Sequence, residues 1–448
     1  MKTQPAGLTP RQLGNRSAGR LAWLLGAGAA LILILLPFHA FLTVWLSQLV
    51  GHYTLLRLWK EFLLLFLVAG AGYLLCRRPD IRRTICGAKL TWLIATYLTV
   101  QVIWGIVAHG LHQVNYVALG YGLIVNCRFL LFFVAVWVIA LAVPGLSAAW
   151  RRLAFWPAAM VITFGLLQYF VLPYDFLRHF GYSSATIFPY ADINNNVHYI
   201  RILSTLRGAN PLGAYLVVVL SLVLASWQRL RQWRYALLAG GAAAALALSF
   251  SRGAWLGAVA AVAVLGVARL RTARAWRAAA MGVAGLMIIA AVGAAVLHDN
   301  TAFQNIFWHT QEHSAVATTS DAGHVSALSS GLHDLIHQPF GRGTGTAGPA
   351  SVYNKSHPAR LAENYFIQIG QETGWLGLLL FVGINVLLAR LLWRRRADRL
   401  ALGMVAALAG LAAVNLFTHA WADDTLAYVF WGLAAMALAR PAPASEKQ

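Results

Sequence analysis

Acidic side chains are scarce in this sequence. Its 448 residues hold 14 Asp and Glu against 35 Lys and Arg, and charged residues of both signs make up only 11%. A soluble globular chain is about 25% charged, so the surface of an ordinary water-soluble fold is not there. Cysteine is as sparse: Cys76, Cys86 and Cys127 are all there are, too few for a disulfide scaffold. The chain has no internal repeat at a period of roughly 20–50 residues, which excludes a solenoid, and no low-complexity linker, which argues against separate domains. What it has instead is apolar length. Hydrophobic residues make up 59% and the mean hydropathy is +0.64. At about 20 apolar residues per bilayer crossing, there is room for a dozen crossings and one sizeable loop. The expected class is an all-α polytopic membrane protein.

Twelve helices are read at roughly 21–47, 59–76, 90–109, 119–142, 153–172, 211–227, 235–250, 254–268, 278–297, 374–393, 400–418 and 425–440. The segments between them alternate between two faces. One face collects the N-terminus and the turns near 77–89, 151–152, 229–234, 269–277 and 390–399, with Arg440 and Lys447 at the end. It holds 25 of the 35 Lys and Arg, and the positive-inside rule makes it cytoplasmic. The net charge of +21 is therefore a topology signal rather than a mark of nucleic-acid binding. Both termini are expected inside. The first apolar stretch runs past Pro37 with no small-residue cleavage site behind it, so it reads as a retained anchor. The resulting organisation is a tail over 1–20, helices one to nine over 21–297 with an outer segment at 173–210, and an outer cap over 298–373. Helices ten to twelve over 374–440 and a tail over 441–448 complete it.

Polar chemistry gathers on the outer face in four segments. Arg201-Ile-Leu-Ser-Thr-Leu-Arg207-Gly208-Ala-Asn210-Pro211 leads into a helix. Its free N–H groups and positive dipole end, flanked by arginine, suit an anionic phosphate; the alternative is a capped helix with snorkelling arginines. Ser249-Phe-Ser251-Arg252-Gly253 joins two apolar runs with almost no loop, and a charge forced so close to hydrocarbon is a functional candidate by default. A helix carrying His324 is ended by Pro339 and followed by the glycine-rich run Gly341 to Gly348. Such a run allows close backbone approach to a ligand or an anion nest, or makes an ordinary tight turn. The last segment is Glu363-Asn364-Tyr365 through Glu372-Thr-Gly374-Trp-Leu-Gly377. On a continuous helix, Glu363 would lie about three turns outside Gly374 and face an outer cavity. His309-Thr-Gln-Glu312-His313 matches an inverted zinc-protease pattern, but no third ligand is identifiable and no Asp-x-Asp stands in the outer loops. No metal or other cofactor is expected.

These four segments, in this order, resemble the O-antigen polymerase and ligase family. The motifs are Arg207-Gly-Ala-Asn-Pro-Leu-Gly213, Ser251-Arg-Gly-Ala-Trp255, the Pro339 to Gly345 turn, and Glu363 to Gly377; Trp59-Lys60-Glu61 is also similar. The resemblance covers about 50–440, with the specific motifs within 200–380. It implies a GT-C-like bundle of about twelve helices with a long periplasmic loop between helices nine and ten. It also implies an inverting, metal-independent glycosyltransferase of the bacterial inner membrane. The donor would be a glycan on undecaprenyl pyrophosphate and the acceptor a glycan or lipid-linked sugar. Polymerisation of O-antigen or exopolysaccharide repeat units is the first expectation, attachment to lipid A-core the second. A flippase and a chain-length regulator would be the protein partners. Arg207 and Arg252, then Arg201, are expected to hold the pyrophosphate. Arg128 either reaches the lipid phosphate or pairs internally. Family members often place His before the Asn, where this chain has Glu363, and many have Arg where it has His324. Glu363 is the expected base, with His324 as the other candidate. A transporter or lipid-linked glycan flippase would share the composition, but should often show inverted repeats and helices broken at mid-membrane.

Overall fold

Hydrocarbon offers no partner to a backbone N–H, so apolar runs of this length fold as helices. The computed structural model describes residues 10–193, 196–270, 320–355 and 357–441, with isolated positions between 272 and 304. In chain order the helices are α1 (Pro10–Leu35), α2 (His39–Val50), α3 (Tyr53–Arg57), α4 (Trp59–Arg77), α5 (Pro79–Cys86), α6 (Lys89–Gly110), α7 (Tyr116–Ala142), α8 (Pro144–Ala148) and α9 (Trp150–Phe170). They continue as α10 (Ala209–Leu230), α11 (Trp233–Leu248), α12 (Arg252–Val267), α13 (Ser320–His337), α14 (Gly348–Ser351), α15 (Tyr365–Arg394), α16 (Arg399–Val414) and α17 (Asp424–Ala439). Among the described residues, seven helical stretches are long and apolar enough to cross a membrane, and α11, α12, α16 and α17 are shorter apolar helices. Most of the helix expected at 278–297 lies outside the described residues. One small departure from all-α is the antiparallel pair β1 (Ala191–Ile193) and β2 (Asn196–Arg201).

Helix α17 is buried on every side, from Thr425 to Leu438, as a helix at the centre of a bundle must be. It packs on α7, while α10 packs on α12 and α16. The α12–α16 crossing is close because both helices present glycine: a Cβ at Gly257 would stand 2.8 Å from the Gly410 carbonyl oxygen, and one at Gly410 would stand 2.6 Å from that of Gly257. Small residues at such crossings let the backbones meet.

Pro37 interrupts the first crossing with a short 3-10 turn, Leu36–Phe38. Two hydroxyls reach the carbonyls there: Thr205 donates to Pro37 O at 2.7 Å and Thr425 to Leu36 O at 2.8 Å. Side-chain hydroxyls re-satisfying backbone at a break are what a low-dielectric setting requires. They also tie the arginine-bearing strand end and the start of α17 to one point.

Candidate functional site

Arg207 stands just ahead of α10, whose first turn carries Pro211, a residue preorganised for that place. Among the described residues no hydrogen bond or ion pair ties up its guanidinium. It opens into a cavity of about 440 Å³ lined also by Tyr121, Tyr353, His419 and Asp423. Arg207 and Asp423 also line an adjoining recess with Arg57, Tyr53 and His39. Arg57 lies over the Tyr53 ring, 5.8 Å from its centroid.

The far wall is built where α15 begins. The Asn364 side chain caps that helix, accepting from Phe366 N at 2.9 Å and Ile367 N at 3.0 Å, and donates to Leu416 O at 3.1 Å. Tyr365 N donates to Asn415 O at 2.9 Å. The segment 415–423 is thereby held at the helix start, which brings His419 within electrostatic range of Glu363. Burial lowers the His419 pKa to about 4, opposed by the Glu363 charge. At neutral pH this imidazole is uncharged, and its buried Nε2 has no hydrogen-bond partner among the described residues. Burial also raises Asp423, helped by the neighbouring Asp424 and opposed by Leu426 N–H and Arg207.

Arg201 and Arg252 form a second basic place. Arg201 donates through Nε to Ser249 O at 2.9 Å and through Nη2 to Asn210 Oδ1 at 2.6 Å. Burial and the nearby Arg252 charge lower its pKa to about 10, so it stays protonated at neutral pH. Gly213 lets α10 approach this turn: a Cβ there would meet Ser251 Cβ at 2.9 Å. The structure thus joins Arg201 to Arg252, while Arg207 lines the cavity, whose lining does not include Arg252. Phe417, two residues before His419, lies against Gly253 and connects the two places.

Residues 237–382 match the family model described as O-antigen ligase. Over this segment the chain is similar to the O-antigen ligase family. No curated protein matches the chain. The matched segment runs from α11 into α15, so it holds Arg252, the glycine-rich run and Glu363, while Arg201, Arg207 and His419 lie outside it.

Within this matched segment the glycine-rich run has another partner than a ligand. Gly345 N donates to Glu372 Oε1 at 2.8 Å and Gly343 N to Glu372 O at 2.7 Å. Asn126 Nδ2 donates to the other Glu372 oxygen at 2.5 Å, and the Thr344 hydroxyl reaches Gln101 at 2.7–2.8 Å. The chain's own carboxylate fills the nest. Gly345 has φ +91, and a Cβ there would collide with Ala118 O. The expectation of a continuous helix inward from Glu363 also fails. Helix α15 starts at Tyr365 and breaks at Gly374, which has φ 65, because Trp375 N turns to Pro339 O at 2.9 Å and the loop is wedged into the gap. Any Cβ at Gly374 would collide with Pro339 O. Gly374→Ala should therefore cost at least about 1–3 kcal/mol, the range for a side chain held in a strained backbone region, seen as a lower thermal midpoint in detergent. An unchanged midpoint would show that the loop is not wedged there.

Arg128 pairs internally. It donates to Ala422 O at 2.9 Å and pairs with Asp424 and, at 3.3 Å, with Glu61. The His324 side chain, and all of His309 and His313, lie outside the described residues. Sequence reasoning missed His419, Asp423 and Arg57. The one available signal was that Thr418-His419-Ala-Trp-Ala-Asp423-Asp424 interrupts two apolar runs on the outer face.

Proposed function

We propose that this membrane protein is a glycosyltransferase that moves a glycan from undecaprenyl pyrophosphate to an acceptor sugar hydroxyl on the periplasmic face. The observation that carries the reading is one cavity walled by a cation, Arg207, and a neutral imidazole, His419. Direct displacement needs both. The acceptor oxygen forms its bond to the anomeric carbon as the bond to pyrophosphate breaks, inverting the centre. The acceptor's proton passes to the His419 imidazole, and the charge growing on the leaving pyrophosphate is met by Arg207 with Arg201 and Arg252 at the neighbouring turn. Preorganised cations of this kind stabilise the transition state without a metal. Glu363 steadies the imidazolium that forms. In this chain an imidazole from the 415–423 segment takes the place of the histidine that relatives carry before the Asn.

That departure favours polymerisation of repeat units over attachment to lipid A-core, with a flippase and a chain-length regulator as companions in the inner membrane. Arg128, spent on Asp424 and Glu61, is left out of the phosphate set. The test is reconstituted turnover of a lipid-linked glycan, with its transport across the bilayer measured in parallel. Arg207→Ala should lower turnover about 10²–10³-fold, the loss typical of one electrostatic stabiliser. Transport without turnover in the native protein would replace the transferase reading with a flippase.

A further inference from the structure

The basic face carries a groove that the outer-face chemistry does not use. Helices α9 and α11 both start at that face and run side by side, touching where Gly241 lies against Ile162. Between them lies a groove of about 800 Å³ with Arg151, Arg152 and Arg234 at its mouth. Its lining includes no carboxylate, and no ion pair engages these three guanidinium groups among the described residues. Arg234 is held over the Tyr235 ring at 5.2 Å, Tyr235 packs edge-on against Phe155 at 5.8 Å, and Phe155 against Trp150 at 5.5 Å. The arginine mouth therefore stands on a fixed aromatic floor. Deeper in, the walls are Ile162, Leu166 and Leu238. From Phe155 to Leu166 the helix rises roughly 16 Å at about 1.5 Å per residue, close to half of a hydrocarbon core about 30 Å thick. Trp156 and Trp233, 70% and 77% exposed, flank the mouth at the level where indoles settle between headgroups and acyl chains.

We infer that this groove is a binding site for one anionic phospholipid, its phosphate on Arg151, Arg152 and Arg234 and an acyl chain along α9 and α11. Charge decides the occupant. Three cations without a counter-charge at the mouth of an apolar groove one leaflet deep call for a phosphate on a hydrocarbon tail, whereas a zwitterionic headgroup brings its own cation into the cluster. Basic clusters between helices at this face bind anionic headgroups, each arginine contributing roughly fivefold in affinity.

The test uses the full-length protein in detergent, with the thermal midpoint followed as phosphatidylglycerol or phosphatidylcholine is added. Phosphatidylglycerol should raise the midpoint and phosphatidylcholine should not. In Arg151→Gln/Arg152→Gln/Arg234→Gln the concentration needed should rise on the order of a hundredfold. Arg78→Gln/Arg82→Gln/Arg83→Gln, on the same face but outside the groove, should keep the native response. Ala159→Phe, which fills the groove and leaves every charge in place, should weaken the response as well and covers the case in which the triple variant fails to fold. Equal responses to the two lipids, or a full response in Ala159→Phe, would overturn the proposal. So would undecaprenyl phosphate binding that phosphatidylglycerol fails to displace, because the groove would then belong to the polyprenyl carrier.

Discussion

Replacing His419 with alanine should lower glycan transfer about 10²–10⁴-fold, the usual contribution of a positioned base, while leaving donor binding nearly unchanged. The imidazole is neutral because burial holds its pKa at about 4 against an ordinary 6.5, so it can accept a proton throughout the neutral range. The pH profile follows from that value. The base is lost only when His419 is protonated, so activity should hold through pH 6.5 and fall near pH 4. Folding linkage has the same sign: a lowered histidine pKa favours the native state above 6.5, and this contribution is lost as pH falls toward 4. Glu363 raises the pKa, so Glu363→Gln should move the acid limb to lower pH and slow transfer by weakening the imidazolium. Because the two groups act as one unit, the double variant should be little worse than His419→Ala alone. A His419→Ala protein with normal turnover, or a Glu363→Gln profile with an unmoved acid limb, would remove His419 as the base. A large loss in His324→Ala alone would pass the role to that residue.

The parts legible in the sequence are those that depend on local pattern. Apolar length announces helices, and Asn364 ahead of an apolar run announces a cap. Arg201, Arg207 and Arg252 stand out as candidates because a cation beside a helix end at a membrane face is costly unless used. The remainder depends on residues distant in sequence. Nothing near Gly343 shows that Glu372 will take its N–H groups, and no local signal at Gly374 says that Pro339 O occupies the break. His419 escaped notice because nine residues between two apolar helices look like a turn. Its place beside the cavity emerges only when Asn364 and Tyr365 bond to the backbone of 415–416.

Replacing Asp424 with asparagine should be the most destabilising polar substitution in the bundle. Asp424 receives Lys60 at 2.9 Å and Arg128, with His39 3.7 Å away. Lys60 is 2% and Arg128 6% exposed, so water screens little of this. Glu61, 3.1 Å from Lys60 and 3.3 Å from Arg128, is the second carboxylate against those two cations. Taking away one negative charge strands a buried positive one, and breaking such a pair costs about 3–5 kcal/mol. The matched control is Asp80→Asn, whose partner Arg78 is 3.0 Å away in an exposed pair; water screens that pair, so the thermal midpoint should barely move. Lys60→Met added to Asp424→Asn should recover part of the thermal midpoint by restoring charge balance. Equal midpoints for Asp424→Asn and Asp80→Asn, or no rescue by Lys60→Met, would mean that the network is not held by charge. The same variant tests how the bundle serves the cavity. Asp424 begins α17 directly after Asp423, and Arg128 also holds Ala422 O, so loosening this point should displace Asp423 and His419 and reduce transfer even in protein that remains folded.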